Sequence, residues 1–398
     1  MPAGFFRQLG LAGNRSCPPG LLVELAALTV HEDVRAELAG RAELPGAVLA
    51  EMVGAGGPRA EFTVVGNRAC PADVLLGVYF RARWSAAEGA GLEHVRLIAA
   101  LDAVEHRHFP PDVLGLLARG FAPLVPGGNE AVAAAMRNPS LPGDDALLGS
   151  RDSRVAVRAS VAANPAISAR IVRALRSDER PEVRLALAGN PAVLDPGLRE
   201  SLLEGVVALR PDAVAGLDGL PRELIPGLVG LVSDAGWRAL AGNPSVPALV
   251  VERMLARAAT ADRRAWAELA LLRRRECPPG IVARFAADDD FRRRALAAAS
   301  PALSGRHRDL LAGDGQALVR AKVAANPGTP PEMLESLAAD ADRSVRAGVA
   351  GNPATPATLL PPLSRDDDRI VVLTAARHAN LPISEMRAIV QGSAARTT

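Results

Sequence analysis

A string of the form V-x-x-x-[VL]-A-x-N-P-x-x-P-x-x-[LV]-[LV] returns along the 398 residues, at intervals of 26 or 27 over most of their length. Such a period marks a chain made of supersecondary units that cannot bury an apolar face alone and must stack on one another. Its Asn place falls at 14, 41, 67, 106, 138, 164, 190, 217, 243, 274, 300, 326, 352 and 378. Longer intervals follow 67, 106 and 243, which puts insertions near 77–91, 120–130 and 256–264. Asparagine itself fills eight places: Asn14, Asn67, Asn138, Asn164, Asn190, Asn243, Asn326 and Asn352. Arg41, His106, Leu217, Arg274, Ser300 and His378 fill the others, assigned by their flanking pattern.

Two apolar columns accompany the Asn. Three residues before it every unit carries Leu, Val or Ala, as at Leu11, Val161, Leu240, Val323 and Val349. Eleven residues after it stand Leu25, Met52, Val78, Leu117, Leu175, Leu228, Met254, Phe285, Leu311, Leu337, Leu363 and Ile389. Two columns imply two buried faces per unit, and the local signals give two short helices. In "NPGTPPEMLESLAAD", Thr329 is placed to N-cap, Pro330 suits the first helical position, and Glu332 completes a capping box. Met333, Leu334 and Leu337 share one face, and a second helix from Ser344 to Gly351 turns Val345 and Val349 inward. It must stop at Asn352, because the residue before proline is pushed out of the α region. Each Asn-Pro is therefore a corner, and the asparagines, Asn138, Asn164, Asn190, Asn243, Asn326 and Asn352 above all, form a structural ladder that satisfies open backbone groups.

The sequence predicts an all-α, HEAT-like solenoid of about fourteen 26-residue two-helix units, a single repeat array over 1–398. N-terminal repeats span 1–119 with the insertion at 77–91, regular central repeats 131–255, C-terminal repeats 265–392, and 393–398 is a disordered tail. The string "VRxxVAxNPxTPxxxLxxLAxD", nearly unbroken from Val319 to Asp340, resembles the leucine-rich repeat variant (LRV) family, and weaker copies extend the resemblance over essentially the whole chain. That resemblance implies a right-handed superhelix in which α-helices alternate with 3₁₀ helices, and it implies no common activity. Some relatives hold an iron–sulfur centre in a cysteine cluster; no such cluster is present here, so no cofactor is expected.

Composition narrows function by exclusion. The 46 basic residues, all arginine except Lys322, are balanced by 44 acidic ones, so net charge selects no partner. The N-terminal "MPAGFFRQLGLAGNRSCPPG" lacks the apolar run of a secretion signal, and no stretch is long enough to span a bilayer; a cytoplasmic location is expected, with no membrane partner. Cys17, Cys70 and Cys277 are scattered, each directly before a proline, and read as small buried fillers. "EHRH" at 105–108 is a weak ligand set, and no metal site is expected. Asp152, Asp178, Asp288, Asp314, Asp340 and Asp366 stand twelve before the Asn place, and Arg158, Arg184, Arg294, Arg320 and Arg346 six before it. A feature repeated in register reads as helix capping by Asp and Arg pairing within or between units, since catalysis needs one singular constellation.

One stretch breaks the repeat with the residue types of binding hot spots: "VYFRARW", which gathers Tyr79, Phe80, Arg81, Arg83 and Trp84 at the longest insertion. The expected function is a non-enzymatic scaffold that binds a protein or peptide on the extended surface, anchored there. Tyr79, Phe80 and Trp84 alternatively extend the core across the widened gap. Two further readings are nucleic-acid binding by arginines along a concave groove, and a HEAT-like base-processing enzyme, to which Trp237 and Trp266 would contribute.

Overall fold

The structure, a computed structural model, describes residues 3–29, 31–55, 62–84, 90–119 and 128–394. Among these residues every regular element is a helix and none is a strand. A first helix and a second helix alternate, as in Pro331–Ala338 followed by Arg343–Gly351, and each of the fourteen corner places follows the end of a helix. The long interval after residue 67 is absorbed by lengthened helices, Ala72–Trp84 and Ala90–Glu105, and the one after 243 by Ala261–Leu272. Residues 120–127, 85–89 and 395–398, where parts of two insertions and most of the expected tail fall, lie outside the described residues; 393–394 close the helix Ile383–Ala394.

Both helices of a unit are α-helices; among the described residues the 3₁₀ form is a short turn, Ala357–Leu359, leading into Leu360–Leu363. Tight i→i+3 bonding closes each corner. Asn326 N–H donates to the Val323 carbonyl at 3.1 Å and Thr329 N–H to the Asn326 carbonyl at 2.9 Å, with the same pair at Asn352 and Thr355. Two such consecutive turns reverse the chain in a few residues, which is how two α-helices of eight or nine residues fit a 26-residue unit.

Both sequence columns are core. The residue three before the corner is completely buried in all fourteen units, and the twelve side chains eleven after it are all buried. Second helices stack directly on one another, Phe291–Ala298 on Ala317–Ala325 and that helix on Arg343–Gly351. Small residues let them close in: a Cβ on Gly348 would lie 2.7 Å from the carbonyl oxygen of Ala321 on the neighbouring helix.

At the corner, Asn352 is extended (φ −77°, ψ 122°) and fully buried. Its Nδ2 donates to the carbonyls of Ala324 and Asn326 in the preceding unit, while its Oδ1 accepts the N–H of Ala354. Asn138, Asn164, Asn190, Asn243 and Asn326 repeat this arrangement. The carbonyl two residues before each corner belongs to the last helical turn, where no intrahelical donor is available. Each unit thus caps the helix of the unit before it. His378 is extended too (ψ 135°) although Ala379 follows it, so proline is not the sole cause of the bend.

Thr329 does not cap the helix it precedes. That helix begins at Pro331 with Pro330 at the N-cap, and the Thr329 hydroxyl turns back to donate to the Val323 carbonyl at 2.6 Å. Two prolines in a row move the helix start one residue on, and the buried hydroxyl takes the acceptor within reach.

The described chain separates into two compact units, 1–44 together with 247–398, and 45–246. The first of these joins the two chain ends. Ala3–Ala12, which the sequence places at the head of the array, packs on Arg369–Arg377 and on the first helix Ile383–Ala394. Its corner residue Asn14 donates from Nδ2 to the carbonyls of Ala376 (3.1 Å) and His378 (2.8 Å), the register that Asn352 keeps with Ala324 and Asn326. Gly10 occupies the place of Gly348, and a Cβ there would lie 2.5 Å from the Leu373 carbonyl. Arg7 Nε donates to the Ser364 carbonyl, Arg377 pairs with Glu37, and the Arg369 guanidinium lies over the Phe6 ring. Ile383–Ala394 and Ala3–Ala12 are therefore the first and second helices of one unit whose halves come from opposite ends of the sequence.

Asn352→Ala leaves two buried carbonyls without their donor and is expected to cost about 2–4 kcal/mol; Asn352→Asp, which points a carboxylate at them, should cost more. Thermal melting of both variants measures this, and a melting point equal to wild type for either contradicts the ladder's role. Gly10→Ala is expected to destabilise the joined unit by about 1–3 kcal/mol through overpacking. Faster amide exchange across Arg369–Arg377 is the signature, and unchanged exchange there would show that the two ends do not pack as described.

Candidate functional site

The "VYFRARW" stretch lies at the end of Ala72–Trp84. Tyr79 is 4% exposed and packs edge-on against Phe80 and the buried Phe109, with ring centroids 5.4 and 5.7 Å apart. Its ring is core, because the lengthened helix brings it over the neighbouring corner; it is not available to a partner. Phe80 is 47% exposed. The side chains of Arg81, Arg83 and Trp84 lie outside the described residues.

The charged columns are spoken for. Arg158, Arg294, Arg320 and Arg346 each grip, through Nε and Nη2 at 2.7–3.2 Å, the two carboxylate oxygens of the next unit's Asp178, Asp314, Asp340 and Asp366. Nη1 of the same arginines donates to the backbone carbonyl six residues back. The fork geometry matches a carboxylate bidentately, and the bonded guanidinium holds Asp314, Asp340 and Asp366 below the ordinary carboxylate range. Arg184 keeps the backbone bond to Asp178, but Gly205 stands where the next aspartate would be. These aspartates do not cap the second helix itself. Asp340 accepts the N–H of Asp342, closing the turn ahead of the helix, and Asp342 is the N-cap.

The histidines at corner places act as asparagines. His106 Nδ1 accepts the N–H of His108 at 3.1 Å, so its Nε2 carries the proton donated to the Asn67 carbonyl at 2.9 Å. His378 does the same with Asn380 and the Asn352 carbonyl. Burial pushes the His106 value below the ordinary one. The cysteines are fillers beneath the corner; burial pushes the thiols of Cys17 and Cys277 up to about 11 and that of Cys70 to about 12, so none is a thiolate nucleophile at neutral pH. Among the described residues no group of three His, Cys, Asp or Glu could hold a metal ion. Trp237 is buried in one compact unit, and Trp266, half-buried, belongs to the other.

With the repeated groups bonded inside the stack, the outer face of the second helices is left to vary. It is made by the residues eight and one before each corner, joined at Leu296 and Lys322 by the residue four before it. Across successive units these read Trp266 and Arg273; Arg292, Leu296 and Ala299; Leu318, Lys322 and Ala325; Ser344 and Gly351; Ile370 and Arg377. Over Ala261–Leu272, Phe291–Ala298 and Ala317–Ala325 this face forms a groove of about 330 Å³. Ala295 and Ala299 line its floor, Leu296 and Leu318 are 39% and 43% exposed, and Arg273, Arg292 and Lys322 stand around it. None of these three cations stands in the column of paired arginines, and Lys322 is set apart in the sequence as the sole lysine.

The leucine rich repeat variant family model matches residues 317–342, which span a second helix, the Asn326 corner and the following first helix. No curated protein matches the chain.

His106 accepts the His108 N–H at Nδ1 only as neutral imidazole, and its folded-state value is depressed. Its contribution to stability is therefore complete above about pH 6.5, the ordinary histidine value, and is lost as pH falls from there through the depressed folded value. His106→Asn, which keeps both ladder bonds without a titrating group, should flatten the decline in melting temperature between pH 7.5 and 5.5. An identical slope in wild type and variant would refute the neutral-imidazole assignment.

Proposed function

We propose that the chain is a non-enzymatic cytoplasmic scaffold that binds a protein or peptide partner on the outer face of its second helices. The observation that carries this reading is the division of labour among positions. Corner, Arg/Asp and apolar columns recur along the chain and are consumed by the stack, while the outer places change from Trp to Arg, Leu, Ser and Ile. A rigid array with a variable outward face suits recognition of an extended partner. Phe80 offers a second exposed aromatic on the longest unit. The three cysteines are free and buried, in keeping with a reducing compartment, and among the described residues no helix is long and apolar enough to cross a membrane.

The nucleic-acid reading loses its main support, since the repeated arginines spend their guanidinium groups on the next unit's aspartate rather than facing outward to phosphates. The base-processing reading would draw on Trp237, whose ring is buried in the core of its unit.

A phage-displayed peptide library selected on the full chain tests the proposal, with bound peptides mapped by hydrogen–deuterium exchange. Protection along second helices is expected. Failure to enrich any sequence, or protection confined to first helices and corners, would overturn it.

A further inference from the structure

The scaffold reading, on which this inference rests, fixes neither where on the outer face a partner sits nor its chemistry; the groove over Ala261–Leu272, Phe291–Ala298 and Ala317–Ala325 supplies both. Its apolar residues are continuous across three units: Leu269 and Leu272 on one helix, Leu296 on the next, Leu318 on the third. Exposed leucines on adjacent helices, with alanines between them, form a trough rather than isolated surface residues. The charge around it has one sign. Arg273, Arg292 and Lys322 line the groove and no acidic residue does. On the same helices Arg294 and Arg320 are locked into ion pairs at 2.7 and 2.8 Å, but Arg273, Arg292 and Lys322 are all exposed and enter no ion pair among the described residues. Arg292 lies 5.3 Å from the Phe291 ring centroid. Three unmatched cations around one apolar trough, with no carboxylate in its lining, call for an anionic complement.

We propose that this groove docks an acidic amphipathic helix of a protein partner. Three packed helices at 8–10 Å separations give a trough about 20 Å long, which about 13 residues of helix would cover. Leucine-like side chains at i, i+3 or i+4, and i+7 enter between Leu296 and Leu318, and flanking Asp or Glu residues reach Arg273, Arg292 and Lys322. The apolar contacts supply affinity, and the cations set the orientation and reject basic helices.

Fluorescence anisotropy on the full chain tests this with three labelled synthetic peptides of one helical design: apolar stripe with glutamates, the same stripe with lysines, and the glutamate peptide with its stripe scrambled. The glutamate peptide is expected to bind at least tenfold more tightly than either other, with affinity falling as salt rises. Arg292→Glu with Lys322→Glu, both exposed, should weaken it at least tenfold and strengthen the lysine peptide; Leu296→Asp with Leu318→Asp should abolish binding. Unchanged melting temperatures confirm that the variants remain folded. Equal binding of the glutamate and lysine peptides, or a glutamate-peptide affinity indifferent to the charge reversal, overturns the proposal. Displacement of the peptide by a single-stranded oligonucleotide or by anionic phospholipid vesicles at matched concentration also overturns it. If no glutamate peptide binds while library-selected peptides protect other second helices, the groove assignment falls and the scaffold reading stands.

Discussion

The carboxamide of a corner asparagine meets a need that every short helix creates. An eight- or nine-residue helix leaves half of its carbonyls without an intrahelical donor, and in a buried stack water is not there to take their place. Nδ2 of the following unit reaches two of these groups at once, and Oδ1 holds the corner that aims it, as Asn352 does toward Ala324, Asn326 and Ala354. The unit length, the extended backbone at the corner and the close approach of second helices all follow from keeping that contact. At three of the corners where asparagine is replaced, the donor survives in another form. Arg41 reaches the carbonyls of Ala12 and Asn14 through Nη1, and His106 and His378 supply Nε2–H.

A second tie runs beside the first. The forked pair from Arg346 to Asp366 links units through side chains, while Nη1 fastens the same arginine to its own turn. One residue therefore sets both the local bend and the spacing to the next unit. The pair is missing where Gly205 replaces the aspartate, and there the chain takes a positive φ of 74° that an L side chain would strain to adopt.

Much of the fold was legible because periodicity multiplies weak signals. Val323 alone says little, whereas fourteen apolar residues at one place in the repeat single out a buried column, and all fourteen are completely buried. The capping of single helices was less legible. Thr329 has the right type for an N-cap, but Pro330 and Pro331 shift the helix start, and competition for one buried hydroxyl is decided by three-dimensional proximity to Val323. The candidate site was read least well. Tyr79 has hot-spot chemistry, yet its exposure depends on how the lengthened helix lies over Phe109, which composition cannot reveal. Arg292 stands beside Arg293 and Arg294 in the sequence, and only the folded chain shows the aspartates choosing those two.

The unit made from both ends of the sequence bears on how the molecule is made. Most helices find their neighbour within about thirty residues and can pack while translation continues. Ala3–Ala12, carrying Phe5 and Leu11, is synthesised long before its neighbour Arg369–Arg377. At about 5–20 residues per second that is a delay of about 20–70 s in which one apolar side of the helix waits for its neighbour. The joined unit therefore closes only after the chain between its halves has been made, so its formation is a post-assembly docking of two distant segments rather than a step of sequential stacking.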